Sequence, residues 1–82
     1  MAGTHLSEEE VARMADEIFE RKYKHLRTTN PGGVVIIDVL TEEAVIGQDQ
    51  LETGKRYFER FGRNRPNMMY VLGMAGWGER RS

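Results

Sequence analysis

Apolar residues recur every three or four positions over the first third of the chain, which predicts one face of an α-helix. Ser7 and Glu10 stand at the spacing of a capping box, in which each side chain accepts from a backbone N–H. We therefore predict a helix over residues 7–27. Its buried face comprises the apolar residues Val11, Met14, Ala15, Ile18, Phe19, Tyr23 and Leu26.

The next segment has the pattern of a β-hairpin. Pro31 and Gly32 suit the two central positions of a type II turn, whose third residue needs a positive φ. Residues 34–40 are mostly β-branched and apolar at every position but Asp38, which is typical of a central strand covered on both faces. A polar turn at residues 41–43 and a shorter apolar run at 44–46 complete the hairpin.

A second helix is predicted over residues 49–61. Asp49 and Glu52 repeat the capping pattern, and Gly62 suits the position just past a helix end. We expect the buried face of this helix to follow its regularly spaced residues Leu51, Gly54, Lys55, Phe58 and Phe61.

The last predicted element is a third strand at residues 68–72, so the order is α-β-β-α-β. A right-handed strand-helix-strand connection makes the third strand parallel to the second. We therefore predict an α+β domain with a three-stranded mixed sheet in the order 2-1-3, its helices covering one face. Residues 7–73 form this domain, residues 1–6 a flexible leader, and residues 74–82 a flexible or partner-ordered tail.

Length and composition limit the class of protein. The chain has 82 residues and no cysteine, which leaves room for one small domain and excludes disulfides and thiolate chemistry. No apolar run approaches the length of a membrane span, so we expect a cytoplasmic protein. A core this small often gains stability by association, and three strands leave two open edges. Oligomerisation is therefore expected.

The residues that could carry chemistry form no catalytic, cofactor or metal constellation. His5 and His25 lie far apart, without a second ligand at metal spacing. Asp38 interrupts an apolar strand, and two interpretations stay open. It could have a raised pKa in a partly dry site, or it could lie on the exposed face or accept hydrogen bonds from a nearby loop. The glycine-containing stretches lack the spacing of a phosphate loop.

The near-zero net charge hides alternating blocks of charge. Residues 1–20 and 30–54 each carry a formal charge of −5, residues 21–29 carry +4 and residues 55–82 carry +5. The densest basic group could contact nucleic-acid phosphates or could be a solvated helix face paired with acidic segments. It consists of Lys55, Arg56, Arg60, Arg63 and Arg65.

Three residues near the end of the chain are candidates for contact with a partner protein. Trp77 is the single tryptophan and lies among glycines, where a large aromatic side chain can anchor on a partner. It could equally fold back over its own sheet. Met74 and Tyr70 precede it and would extend the same contact.

Several of these segments resemble a family of small uncharacterised prokaryotic proteins. The resemblance rests on residues 33–41, which read GVVIIDVLT, on Val45-Ile46-Gly47 with Asp49 and Leu51, and on Arg65-Pro66 before a hydrophobic strand. Glu42 stands where the family often has Gly. Members are sometimes suspected to belong to antitoxin-like two-gene modules, which implies a protein partner.

Together these patterns favour a non-enzymatic protein-interaction module that forms homo-oligomers or docks on a partner as an antitoxin-like or accessory subunit. A nucleic-acid-binding module that uses the basic group is the alternative. A small enzyme working around Asp38 or His25 is the third and weakest hypothesis.

Overall fold

A computed structural model of the chain describes residues 6–72 and the backbone of residues 78–81. The predicted order of elements is confirmed, and a fourth strand follows. The first helix divides into three parts rather than running unbroken. The elements are α1 (Glu8–Ile18), a π-helical segment (Phe19–Tyr23), α2 (Leu26–Thr29), β1 (Val34–Asp38), β2 (Ala44–Gly47), α3 (Gln50–Phe61), β3 (Asn67–Leu72) and β4 (Gly78–Arg81).

The strands form one sheet in the order β2-β1-β3-β4. The predicted α+β class and the order 2-1-3 are confirmed, with β1 at the centre. Every neighbouring pair is antiparallel, so the prediction of a mixed sheet is wrong. The reason is that β2 and β3 run parallel to each other but on opposite sides of β1. β4 pairs with β3 in the segment for which the sequence predicted no strand.

The first face of the sheet carries the larger core. Val35 and Ile37 of β1 and Tyr70 of β3 point to this face, where they meet the apolar side of α1. Phe19, in the π-helical segment, stacks on Tyr70 with ring centroids 4.9 Å apart. The Ser7–Glu10 capping box is present. Of the predicted buried face, Met14 and Tyr23 are only partly buried, and the other five members are buried, namely Val11, Ala15, Ile18, Phe19 and Leu26.

The second face is covered by α3, so the two long helices lie on opposite faces and not on one. Ile36 of β1 and Val45 of β2 pack there against Tyr57. All five residues of β1 are buried, so both faces of this strand need a covering layer. Since a helix is about 10 Å wide and strands are about 4.8 Å apart, one helix covers about two strands.

Among residues 6–72, the second face is therefore only half covered, because α3 packs over β2 and β1. On β3, Met69 and Val71 point to this face and are half-buried, whereas the alternate residues that face α1 are buried. We call the part of the second face over β3 and β4 the open half.

Positive φ angles occur in the turns on either side of β1 and in the connection after α3, at Gly32, Glu42, Gly62 and Asn64. Gly32 has φ 83°, and the N–H of Gly33 bonds to the carbonyl of Asn30 at 3.1 Å, which confirms the type II turn. Glu42 has φ 65°, a strained value for this residue type. Its carbonyl accepts from the Tyr23 hydroxyl at 2.8 Å, which ties the hairpin turn to the π-helical segment.

Candidate functional site

The carboxylate of Asp38 lies at the end of β1 and is fully buried. Arg65 donates from Nε to Oδ1 and from Nη2 to Oδ2, each at 2.8 Å, in a two-point ion pair. Tyr57 donates its hydroxyl to Oδ1 at 2.8 Å. Thr41 donates to Oδ2 from its backbone N–H at 3.0 Å and from its hydroxyl at 2.9 Å. One side chain thus joins β1, the hairpin turn, α3 and the connection before β3.

These bonds decide what Asp38 can do chemically. Burial raises the pKa of Asp38, but hydrogen bonds from Arg65, Tyr57 and Thr41 outweigh burial and hold it well below its usual range. Burial and the bond to Asp38 raise the pKa of the Tyr57 hydroxyl. A carboxylate whose two oxygens already accept five hydrogen bonds is a poor general base or metal ligand. The network is a structural clamp.

Of the two interpretations of Asp38, the raised pKa is therefore wrong. The prediction that Asp38 accepts hydrogen bonds from a nearby loop is confirmed, because Thr41 donates to it twice. The prediction that its side chain lies on the exposed face is wrong, because the side chain is buried.

A row of apolar positions on α3 points away from the core. Leu51 is 78% exposed and Phe58 is 51% exposed. Gly54 lies between them on the same side of the helix, and a Cβ built at this glycine would have no described atom within 4 Å apart from its chain neighbours and the adjacent turns of its own helix backbone. We call these three residues the α3 flank. The flank borders an open groove of about 1010 Å³ that Ile36 and Met69 of the second sheet face also line.

The expected buried face of this helix is wrong in register. The structure buries Thr53 and Tyr57 and leaves Leu51 and Phe58 exposed. Both buried polar groups are satisfied, because the Thr53 hydroxyl donates to the carbonyl of Asp49 at 2.6 Å and the Tyr57 hydroxyl donates to Asp38. Phe61 packs partly against the core as expected.

The basic group is largely paired within the chain. Arg65 binds Asp38 as described above. Arg56 binds Glu52 at 3.2 Å and the carbonyl of Ile46 at 3.1 Å. Arg60 forms an ion pair with Glu43. The pairing of these three guanidiniums agrees with the interpretation that the basic group is a solvated surface paired with acidic segments.

Lys55 and Arg63 differ from the other members of the basic group. Neither forms an ion pair with any residue that the structure describes. The Arg63 guanidinium lies 5.9 Å from the centroid of the Phe58 ring.

The proposed partner contacts are placed only in part. Tyr70 is 5% exposed, and its hydroxyl donates to Asp16 at 2.6 Å, so its side chain belongs to the core. Trp77 and Met74 lie outside the described residues, as does His5. His25 is exposed at the start of α2.

The described residues contain neither a metal-ligand cluster nor a membrane-spanning helix. Among residues 6–72 and 78–81, no group of three metal-ligating side chains lies together. Nor does any described helix have the length and apolar character needed to cross a bilayer. No protein-family model, curated protein or solved structure matches this chain. The resemblance to the small prokaryotic family stays a prediction.

Proposed function

We propose that the protein is a non-enzymatic protein-interaction module and that a second polypeptide covers the α3 flank and the groove beside it. The observation that carries this proposal is the exposure of Leu51 and Phe58 on one side of α3. Most large apolar side chains of a small domain are buried, and two exposed ones that share a groove favour a contact surface.

The half-covered sheet supports the same proposal. Met69 and Val71 lie on the second face beside α3 and are half-buried, and Met69 lines the groove, so the groove has apolar groups on the helix and on the sheet. A polypeptide with an apolar helix face would remove both from water together. An antitoxin-like or accessory-subunit role is compatible with this mode of binding.

The guanidinium that lines the groove is already paired with a buried carboxylate, which favours binding over catalysis. Arg65 lines one side of the groove, but its guanidinium is already committed to Asp38. The alternative of a nucleic-acid-binding module has less support, since Arg56, Arg60 and Arg65 are all paired with carboxylates. Phosphate contacts would have to compete with those ion pairs.

Site-specific photo-crosslinking in the producing cells tests the proposal. A photoreactive phenylalanine analogue replaces Leu51 in one variant, and in a control variant it replaces Arg13, an exposed residue of α1 outside the groove. We expect an adduct with a polypeptide from position 51 and none from position 13. Equal or absent adducts at the two positions would contradict the proposal, and an adduct with nucleic acid would favour the alternative function.

A further inference from the structure

We propose that an ion pair on α3 closes the outer edge of β2 against strand addition, and that this edge pairs with β2 of a second copy once the ion pair is removed. The ion pair joins Glu52 and Arg56, with 3.2 Å between Oε2 and Nη2. The inference goes beyond the proposed function, because it concerns the edge of the sheet and not the α3 flank.

The outer edge of β2 is the row of backbone groups that β1 does not use. β2 is the first strand in the order β2-β1-β3-β4, so one side of it has no described strand beside it. The Asp38 N–H donates to the carbonyl of Glu43 at 2.8 Å, and β1 and β2 continue from there as an antiparallel pair. Since alternate residues bond across an antiparallel pair, the backbone groups of Ala44 and Ile46 point away from β1.

The ion pair bonds to this edge in the way that a neighbouring strand would. Arg56 donates from Nη1 to the carbonyl of Ile46 at 3.1 Å. The N–H of Gln48, two residues later, donates to Oε1 of Glu52 at 3.5 Å. A neighbouring strand would supply the same two partners, an N–H for the carbonyl and a carbonyl for the N–H. The side chains of α3 therefore occupy the bonds through which a further strand would add.

The sequence of β2 explains why this strand needs a closed edge. It reads Ala-Val-Ile-Gly and has no charged residue, whereas β4, at the other end of the described sheet, reads Gly-Glu-Arg-Arg. Ile46 is apolar and is 39% exposed. Charged side chains on an edge strand discourage pairing with another chain, and β2 has none of its own. The ion pair of α3 supplies the charge that β2 lacks.

A second copy of β2 is the strand that fits the opened edge. Two copies of β2 that pair antiparallel about a two-fold axis perpendicular to the sheet would exchange bonds between the same outward groups, and their Ile46 side chains would share one face. The layer above the sheet leaves room for this pairing, because α3 packs over both β2 and β1. With strands about 4.8 Å apart, the two α3 axes would lie about 10 Å apart, an ordinary distance for packed helices.

Amide hydrogen exchange of the purified full chain at several concentrations tests this inference. In the wild type, the N–H groups of Ala44 and Ile46 should exchange fast at every concentration. In Arg56→Ala, their exchange should slow at least about tenfold as the concentration rises, and analytical ultracentrifugation should show a species of twice the 9.4 kDa chain mass. The matched control is Arg60→Ala, which removes a similarly exposed arginine one helical turn later and leaves the Ile46 carbonyl capped. It should behave as the wild type does.

Two further measurements separate the edge from the folding of the chain. Arg56→Ala should melt within about 4 °C of the wild type, because the ion pair that it removes is exposed to solvent. Ile46→Pro removes an outward N–H without removing a bond to β1. Added to Arg56→Ala, it should therefore return the Ala44 amide to fast exchange at every concentration.

Four results would overturn the inference. Fast exchange at Ala44 and Ile46 in Arg56→Ala at every concentration would show that the edge stays unpaired without the ion pair. Equal protection of these amides in the wild type would show that the ion pair does not close the edge. Protection in Arg60→Ala as well would assign the effect to the lost charge alone. An Arg56→Ala chain that unfolds would make the ion pair a support of the fold instead.

Discussion

Asp38 is the residue on which most of the second sheet face depends. It is the only acidic residue of β1, and its carboxylate contacts the hairpin turn three residues away and two segments that lie 19 and 27 residues away. Burying an ionised carboxylate is costly unless hydrogen bonds and a counter-charge replace the lost water. Here Arg65, Tyr57 and Thr41 supply both. The side chain therefore holds the elements around α3 in place.

Asp38→Asn should destabilise the fold by about 2–4 kcal/mol, because the amide leaves the Arg65 guanidinium without its counter-charge and turns an acceptor into a donor. Urea denaturation followed by circular dichroism measures the change. Glu43→Gln is the control, since it breaks the Arg60–Glu43 pair at the surface, where we expect a loss below about 0.5 kcal/mol. Similar losses for the two variants would show that Asp38 is no more important than a surface carboxylate.

The same network predicts how stability depends on pH. The pKa of Asp38 is lower in the folded chain than its ordinary value of 3.8, so the unfolded chain binds a proton more readily in acid. The stabilisation by the ionised carboxylate is therefore complete above about pH 5 and is lost as the pH falls through 3.8 towards the folded-state pKa. We expect the difference in unfolding free energy between the wild type and Asp38→Asn to shrink over this interval. Urea titrations at constant ionic strength test this, and a difference that stays constant down to about pH 2.5 would contradict it.

At the residue scale, the sequence predicts local partners and misses distant ones. Thr41 lies three residues after Asp38, so the sequence spacing alone could predict that Asp38 accepts a hydrogen bond from the turn that follows it. Arg65 lies 27 residues away and Tyr57 lies 19 residues away. Their contacts with Asp38 exist only because α3 packs on the second face. The direction of the pKa shift depends on those two partners and was therefore out of reach.

At the scale of elements, α3 shows where a hydrophobic pattern fails. Its existence and its Asp49 cap were predictable, because both are local features. Its buried face was not, because a pattern of hydrophobicity treats Thr53 as polar and Leu51 as core. The structure satisfies the Thr53 hydroxyl within the helix and buries it, which frees Leu51 for the surface.

Two glycines around α3 should respond in opposite ways to alanine. A Cβ at Gly47 would lie 2.3 Å from Oγ1 of the buried Thr53, so Gly47→Ala should destabilise the fold by about 1–3 kcal/mol through overpacking. Gly54→Ala meets no described atom and should stabilise the dilute monomer by about 0.5–1 kcal/mol through helix propensity. Thermal unfolding at low protein concentration measures both. Destabilisation by Gly54→Ala would mean that something already fills the space beside it within one chain.

At the scale of the whole molecule, the rules for strand connections predicted the strand order, whereas the pattern of polar and apolar residues predicted neither the placement of the helices nor the fourth strand. The order 2-1-3 follows from placing the most apolar strand at the centre and running the third strand parallel to the second. The placement of helices on both faces was missed, although the two-sided burial of β1 requires it. β4 was missed because its sequence, Gly-Glu-Arg-Arg, has no apolar alternation. Its place in the sheet rests on backbone bonds to β3, which side-chain polarity does not reveal.

Hydrogen exchange distinguishes two ways in which this molecule could associate. β1 lies between two strands, so its amides should exchange slowest, whereas β2 has no described strand beyond it. Amides of β2 that point away from β1 should therefore exchange fast at every concentration. If copies pair through the α3 flank, raising the concentration should slow exchange in α3 and β3 but not along this outer side of β2. Concentration-dependent protection of β2 instead would mean that copies join edge to edge, with the α3 flank left in water.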